Sequence, residues 1–456
     1  MSDILFEPFR IKSVESMPIS TPEERQRWIA AAGFNMFNLR SEQVMIDLLT
    51  DSGTVAMSDQ QWAEMIRADE AYAGSRTFFD LENTARNIMG LEFVLPVHQG
   101  RAAEHLFFST ILKGGEIIPS NSHFDTTLAN IQDQGATGIN LLCREGLLPF
   151  EPAPFKGNMD LEQLESLLLS RGKEIPLVMM TITNNTAGGQ PVSLGNIRSA
   201  AEIAHRHGKM FVIDACRFAE NSYFIKRREP GYTNRSPLEI AQEIFSHADA
   251  VTFSGKKDAL SNIGGLLCLR DADLVDRLKT RLLVTEGFPT YGGLAGYSMA
   301  AMAQGLREVL DERYLQYRLR TIEWMVERLA NAGIPVLVPA GGHAVYLESS
   351  RFFPHIPQEH LPGIALTVEL YIKAGVRSCE LGTVAFGTRD TAGRLIPPPL
   401  DLVRLAIPRR TYTEAHMGHV VDSLKEIYAG REQVKGFQYQ KEYEVLRHFR
   451  STFLPV

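Results

Sequence analysis

Along the middle of the chain, apolar residues recur in two alternating periods. Leu177 to Thr183 is an almost unbroken apolar run, the pattern of a strand buried on both faces. Ile197, Ala200, Ile203 and Ala204 then fall at helical spacing, and Gly208 supplies a stop. Met210 to Ile213 predicts the next strand, Ile240, Ile244 and Phe245 another helix, and Ala250 to Phe253 a third strand. Strands alternating with helices predict an α/β domain around a mostly parallel sheet.

The C-terminal part has a different pattern. Tyr314, Ile322, Met325 and Leu329 predict a long amphipathic helix over roughly Asp311 to Asn331, with Gly333 as its stop. Strand-like pieces follow at Ile334 to Val338 and Ala344 to Leu347, and Pro397 to Pro399 make a rigid break before Leu402 to Ile407. These predict a smaller α+β domain. The expected division is an N-terminal arm with part of the small domain over 1–55, a large domain over 56–310, and the small domain over 311–456.

Composition narrows the function classes. The chain has 456 residues, 44% hydrophobic and 22% charged, with a net charge of −7, so no basic stripe calls for nucleic acid or an anionic membrane. No apolar run approaches the roughly 18 residues of a membrane span. The opening Met1 to Lys12 carries acids and no apolar leader. Cys143, Cys216, Cys268 and Cys379 are scattered, which disfavours a zinc site or a disulfide framework and makes a reducing cytoplasm the default.

Three successive predicted strands end in polar groups: Asn184 and Asn185, then Asp214 and Arg217, then Ser254 to Lys257. Ligands of open parallel sheets sit beyond the carboxyl ends of the strands, so these groups should converge. Their chemistry matches an aldehyde cofactor with a pyridine ring. Lys257 offers an amine for an imine, and Asp214 a carboxylate to keep the ring nitrogen protonated. Arg217 and Asn185 suit the ring's phenolate oxygen. Gln99, Gly100 and Arg101 follow the run Phe93 to Val97 and open a helix, whose N-terminus binds a phosphate, with Ser254 and Lys256 adding donors. Singly, a Lys-Lys pair after a strand is a solvated loop and a strand-end Asp is a cap or turn. The ordered combination favours pyridoxal 5'-phosphate.

Longer stretches carry a family resemblance. They are Ile46–Thr54 (IDLLTDSGT), Asp69–Ser75 (DEAYAGS), His98–Arg101 (HQGR), Ala187–Ser193 (AGGQPVS), Arg217–Lys226 (RFAENSYFIK), Gly287–Gly293 (GFPTYGG) and Arg404–Arg409 (RLAIPR). Through nearly its whole length the chain resembles the tryptophanase and tyrosine phenol-lyase family, β-eliminating lyases of the aspartate-aminotransferase-like fold (fold type I). One departure is Ala102, where the family pattern has Gly after the phosphate-binding arginine.

The resemblance implies roles at the matching positions. Lys257 would carry the cofactor and remove the α-proton. Phe124 would stack on the ring, and Arg404 would bind the substrate carboxylate with Thr50, Ser52 and Asn185 nearby. Tyr72 would act as a general acid, reaching in from a neighbouring subunit of a homo-oligomer, a tetramer built from dimers. Gly53, Glu70 and Asn262 would bind a potassium ion. The plainer readings are a packed interface tyrosine and a surface acid.

The leaving-group end decides between the two family activities. Phenol-lyases carry Thr after the stacking Phe, Arg in the segment that here reads Arg377–Gly382 (RSCELG), and Phe near the C-terminus. This chain has Asp125, Leu381 and His448, the tryptophanase pattern, with Phe37 and Phe288 also expected against the substrate. Without Arg at position 381 a phenol loses a polar partner, a loss on the order of 1–3 kcal/mol. Asp125 and His448 could position a proton donor or stabilise an indole N–H; alternatively Asp125 caps a helix and His448 packs. The resemblance thus implies β-elimination of tryptophan. Phe288 and Cys379 also depart from the phenol-lyase pattern, so elimination from tyrosine or another aromatic amino acid stays open, as does a non-catalytic relative that binds the cofactor.

Overall fold

The computed structural model describes residues 6–444 and 446–456. Met1 to Leu5, the opening of the N-terminal arm, and Val445 lie outside the described residues. The chain divides into two compact units, one of residues 1–51, 147–152 and 317–456, the other of residues 52–146 and 153–316. Among the described residues no helix is long and apolar enough to cross a membrane.

The second unit is built on a seven-stranded sheet. Its strands are β1 (Phe93–Val97), β2 (Ile117–Ser120), β3 (Thr137–Asn140), β4 (Leu177–Thr181), β5 (Met210–Asp214), β6 (Ala250–Ser254) and β7 (Gly265–Leu269), in spatial order β1-β7-β6-β5-β4-β2-β3. β7 runs antiparallel to both neighbours, and the other pairings are parallel. β4 to β7 are buried along their whole length apart from Met210, as the unbroken apolar runs predict for strands covered on both faces. One cluster packs Leu106, Phe107 and Phe108 of helix α1 (Gly100–Ile111) with Leu274, Leu278 and Leu282 against sheet residues Leu95, Val97, Met179 and Val212. Helices form where the periodicity predicts them, at Leu194–Arg206 and Pro237–Ser246. Ser193 and Ser236 cap their first turns by accepting from the N–H groups of Asn196 and Glu239.

The first unit holds a three-stranded antiparallel sheet of β8 (Ala344–Glu348), β9 (Cys379–Leu381) and β10 (Leu402–Ala406), in order β9-β10-β8. Its core joins Val345, Leu347, Val403 and Leu405 of the sheet to Ile322, Met325 and Leu329 of the long helix Glu312–Asn331 and to Leu366 and Leu370 of Pro362–Ala374. Ile334 to Val338, expected as a strand, is not one. Pro335 and Pro339 lack N–H donors, and only Val336 bridges to Leu347. β4 also ends earlier than expected, at Thr181, although the Ile182 N–H still donates to the Asp214 carbonyl at 3.0 Å.

Candidate active site

β4, β5 and β6 lie side by side, with Asp214 in register with Thr181 on one flank and Thr252 on the other. Their carboxyl ends bring Asn185, Asp214, Arg217 and Ser254 together, all buried, with Lys257 half-buried beyond them. Backbone bonds fix the loops that carry them. The Arg217 N–H donates to the Ile182 carbonyl at 3.2 Å, and the Lys257 N–H to that of Ser254 at 3.3 Å. The neighbouring Asp258 accepts from the Ala219 N–H at 2.8 Å, which ties the lysine loop to the start of the helix Phe218–Arg228. Asp214 accepts from the Cys216 N–H at 3.2 Å. Burial and the adjacent Asp214 push the Cys216 thiol up to about 12, so it stays neutral.

The second cluster is cationic. Gln99, extended, precedes α1 without a side-chain cap, so the first N–H groups of the helix are left for another partner. A Cβ on Gly100 would lie 2.7 Å from Ser254 Cβ, so only glycine lets the helix start approach β6 this closely. Burial, then the charges of Lys257 and Arg101, push Lys256 below the usual lysine range. Like charges gathered at a helix N-terminus suit a doubly charged anion.

One acid was not legible in the sequence. Glu104, a turn into α1, is buried, and it accepts from Thr127 Oγ1 and at 3.5 Å from Thr126 Oγ1. Burial and Asp214 hold its carboxyl well above the usual range, opposed by the Thr127 bond and Lys257. It thereby grips the first turn of α2 (Asp125–Asp133), whose N-cap is Phe124. Asp125 is the first residue of α2 and accepts from the adjacent Thr126 N–H at 2.6 Å. The only sequence signal for Glu104 was a glutamate just ahead of the apolar run Leu106 to Phe108.

Pyridoxal phosphate fits this donor set: a carboxylate at a strand end, an amine beyond the next strand, and cations at a helix start without a side-chain cap. The buried Thr183 Oγ1, Asn184 Nδ2 and Thr252 Oγ1 have no protein partner among the described residues, as expected where a polar ligand completes the site.

The remaining candidates fall into smaller groups. In the first unit, Arg404 on β10 is buried and donates to the Leu49 carbonyl at 3.0 Å, beside Thr50 in the chain. Arg409 donates to Asp51 at 2.8 Å in a fully buried ion pair that anchors the same segment. Leu381 ends β9, buried. His448 is also buried, its ring centroid 5.8 Å from that of Phe37 and 4.0 Å from that of Phe449. In the second unit, Ser52 precedes Gly53, whose carbonyl accepts from Asn262 Nδ2 at 3.1 Å. Glu70 accepts from the Gly296 and Tyr297 N–H groups at 2.8 and 3.3 Å, capping helix α3 (Gly296–Glu308). The Tyr72 ring is 72% exposed and lies 5.6 Å from Phe288 and 5.5 Å from Tyr291 between centroids.

Comparison with known proteins agrees with this geometry. A family model described as beta-eliminating lyase matches residues 47–423. A tryptophanase from Hyphomonas neptunium is 54% identical over 98% of this chain and 99% of its own length. A tyrosine phenol-lyase from Symbiobacterium thermophilum is 45% identical over 99% of this chain and 98% of its own. The solved structure of serine palmitoyltransferase from Sphingomonas wittichii shares the fold, with a TM-score of 0.60 at 13% identity over 90% of this chain and 97% of that one. The architecture is fold type I, and the chain is a member of the β-eliminating lyase family.

Proposed function

We propose that this chain cleaves L-tryptophan by β-elimination, giving indole, pyruvate and ammonia, with pyridoxal phosphate as cofactor. The observation that carries the choice of substrate is Leu381, a buried aliphatic side chain where phenol cleavage needs a hydrogen-bond donor. The 54% identity to a tryptophanase, against 45% to a tyrosine phenol-lyase, supports the same reading.

Bound at Lys257, the cofactor supplies an aldehyde for the substrate amine and a pyridine ring that takes up electrons from Cα. The residues then divide the work. Asp214 keeps a proton on the ring nitrogen. Arg217 and Asn185 meet the ring oxygen. Gln99, Gly100, Arg101, Ser254 and Lys256 hold the phosphate, and Phe124 stacks on the ring. Arg404 binds the substrate carboxylate, with Thr50 and Ser52 adding hydroxyls, and Lys257 Nζ takes the α-proton. Tyr72, supplied by a neighbouring subunit, protonates the indole carbon as the bond to Cβ breaks. Asp125 and His448 position a proton donor or stabilise the indole N–H, and Phe37, Phe288 and Leu381 are the residues assigned to contact with its rings.

A homo-oligomer, a tetramer built from dimers, suits the exposed Tyr72, Trp62 and Ile66. Potassium at the dimer interface suits the carbonyls of Gly53 and Asn262 with Glu70, hard oxygen donors for a hard cation. Residues 56–310 serve as the cofactor domain, and 1–55 with 311–456 as the small domain. Four free cysteines suit a reducing cytoplasm.

The test is product identity with cofactor and potassium present: indole and pyruvate form in equal amounts from tryptophan. Pyruvate from tyrosine with matching phenol, and none from tryptophan, would transfer the proposal to the phenol-lyase reading that the second relative favours.

A further inference from the structure

Leu381 is followed by a single helical turn, α4 (Thr383–Phe386), and the way this turn is held is unusual for its size. Four consecutive backbone donors, from Gly382 to Ala385, all go to two carboxylates. Glu380 accepts from Gly382 at 3.0 Å, Val384 at 2.9 Å and Ala385 at 3.0 Å. Asp401 accepts from the Thr383 N–H at 2.7 Å and its hydroxyl at 2.9 Å, and from the Ser349 hydroxyl at 2.8 Å. Both acids are buried. A Cβ on Gly382 would lie 2.1 Å from Asp401 Oδ1, so the chain leaves β9 through the one residue type that admits this carboxylate.

The far end of the turn is tied as well. The Gly387 carbonyl accepts from Arg447 Nη2, and α4 packs on α5 (Arg447–Arg450), which carries His448. The two acids therefore sit at the root of a rigid chain running from Leu381 through α4 to His448.

A neutral serine or asparagine would cap a four-residue turn at less cost. Burial and Asp401 push Glu380 up to about 8, a measure of how unfavourable two carboxylates are side by side away from water. Such an arrangement holds position at the expense of stability.

We propose that Glu380 and Asp401 are positioning residues for leaving-group selectivity: by gripping α4 they fix Leu381 and His448 against the aromatic leaving group. This rests on the reading of those two side chains given above. Neither acid touches substrate, so selectivity should change while the chemistry at Cα does not.

The experiment compares tryptophan with β-chloroalanine, whose chloride leaves without an aromatic pocket or a proton, in the cofactor-loaded enzyme. Glu380→Gln keeps an oxygen acceptor but turns one backbone contact into a donor facing a donor. It is expected to lower kcat/KM for tryptophan by on the order of tenfold to a hundredfold, with KM rising, as for a displacement of about 1 Å, and to leave β-chloroalanine within about twofold. Thr383→Val, which removes only one hydroxyl from Asp401, provides a milder second variant and should change the ratio in the same direction. Equal losses on both substrates, or an unchanged ratio in both variants, would overturn the positioning role. A parent enzyme that cleaves β-chloroalanine but not tryptophan would instead overturn the substrate reading, and the proposal with it.

Discussion

At the residue scale the most exposed assignment is Lys257. It is the amine beyond β6, flanked by Lys256 and followed by Asp258, whose bond to the Ala219 N–H fixes the loop. Lys257→Ala should abolish turnover and leave the cofactor bound without a covalent link. Borohydride reduction of the parent enzyme followed by peptide mapping checks this, and the label should fall on Lys257 and on no other lysine. The strand-end residues were legible because each ends an apolar run, so position and chemistry agreed in one dimension. Glu104 and Glu380 were not. The groups that set their burial and charge environment (Thr127 and Asp214 for Glu104, Asp401 for Glu380) are distant in sequence, and an isolated Glu near an apolar stretch has the pattern of a solvated face. Glu380 also carries a pH signature. Its carboxyl is raised in the fold from an ordinary 4.5 to about 8, so its contribution to stability is full below 4.5 and is lost as pH rises through about 8. Glu380→Gln removes that slope. The melting temperature of the variant relative to the parent should therefore climb between pH 5 and 8, and a constant difference would contradict the buried, proton-holding state.

At the element scale the account rests on close approaches that glycine permits. Gly100 lets α1 start against Ser254, and Gly382 lets the chain turn past Asp401. Gly382→Ala should destabilise the protein by about 1–3 kcal/mol, because the new methyl meets a carboxylate held by three further bonds and cannot be relieved by one rotamer change. Denaturant midpoints measure it, and a loss within a few tenths of a kcal/mol would mean that the turn adapts. The periodic helices and the runs β5 and β6 were read correctly because length and burial pattern coincided. Ile334 to Val338 was over-read because apolar content was weighed above Pro335 within it, and the end of β4 was placed too late because Ile182 and Thr183 prolong the run past Thr181.

At the scale of the whole molecule, the fold type follows from strand order and the architecture shared with a solved structure of 13% identity, and the family from the family model and full-length similarity. Substrate choice is finer than either. Leu381, Asp125 and His448 stand on separate elements, and in the proposed reading their identities, rather than the fold, separate cleavage of an indole from cleavage of a phenol. The most direct measurement is the ratio of kcat/KM for pyruvate release from L-tryptophan and from L-tyrosine by the unmodified enzyme at saturating pyridoxal phosphate and potassium. The account predicts that tryptophan is favoured by at least about tenfold, the order expected when a buried site offers a phenol no donor. A ratio in favour of tyrosine, or no release from either, would contradict it.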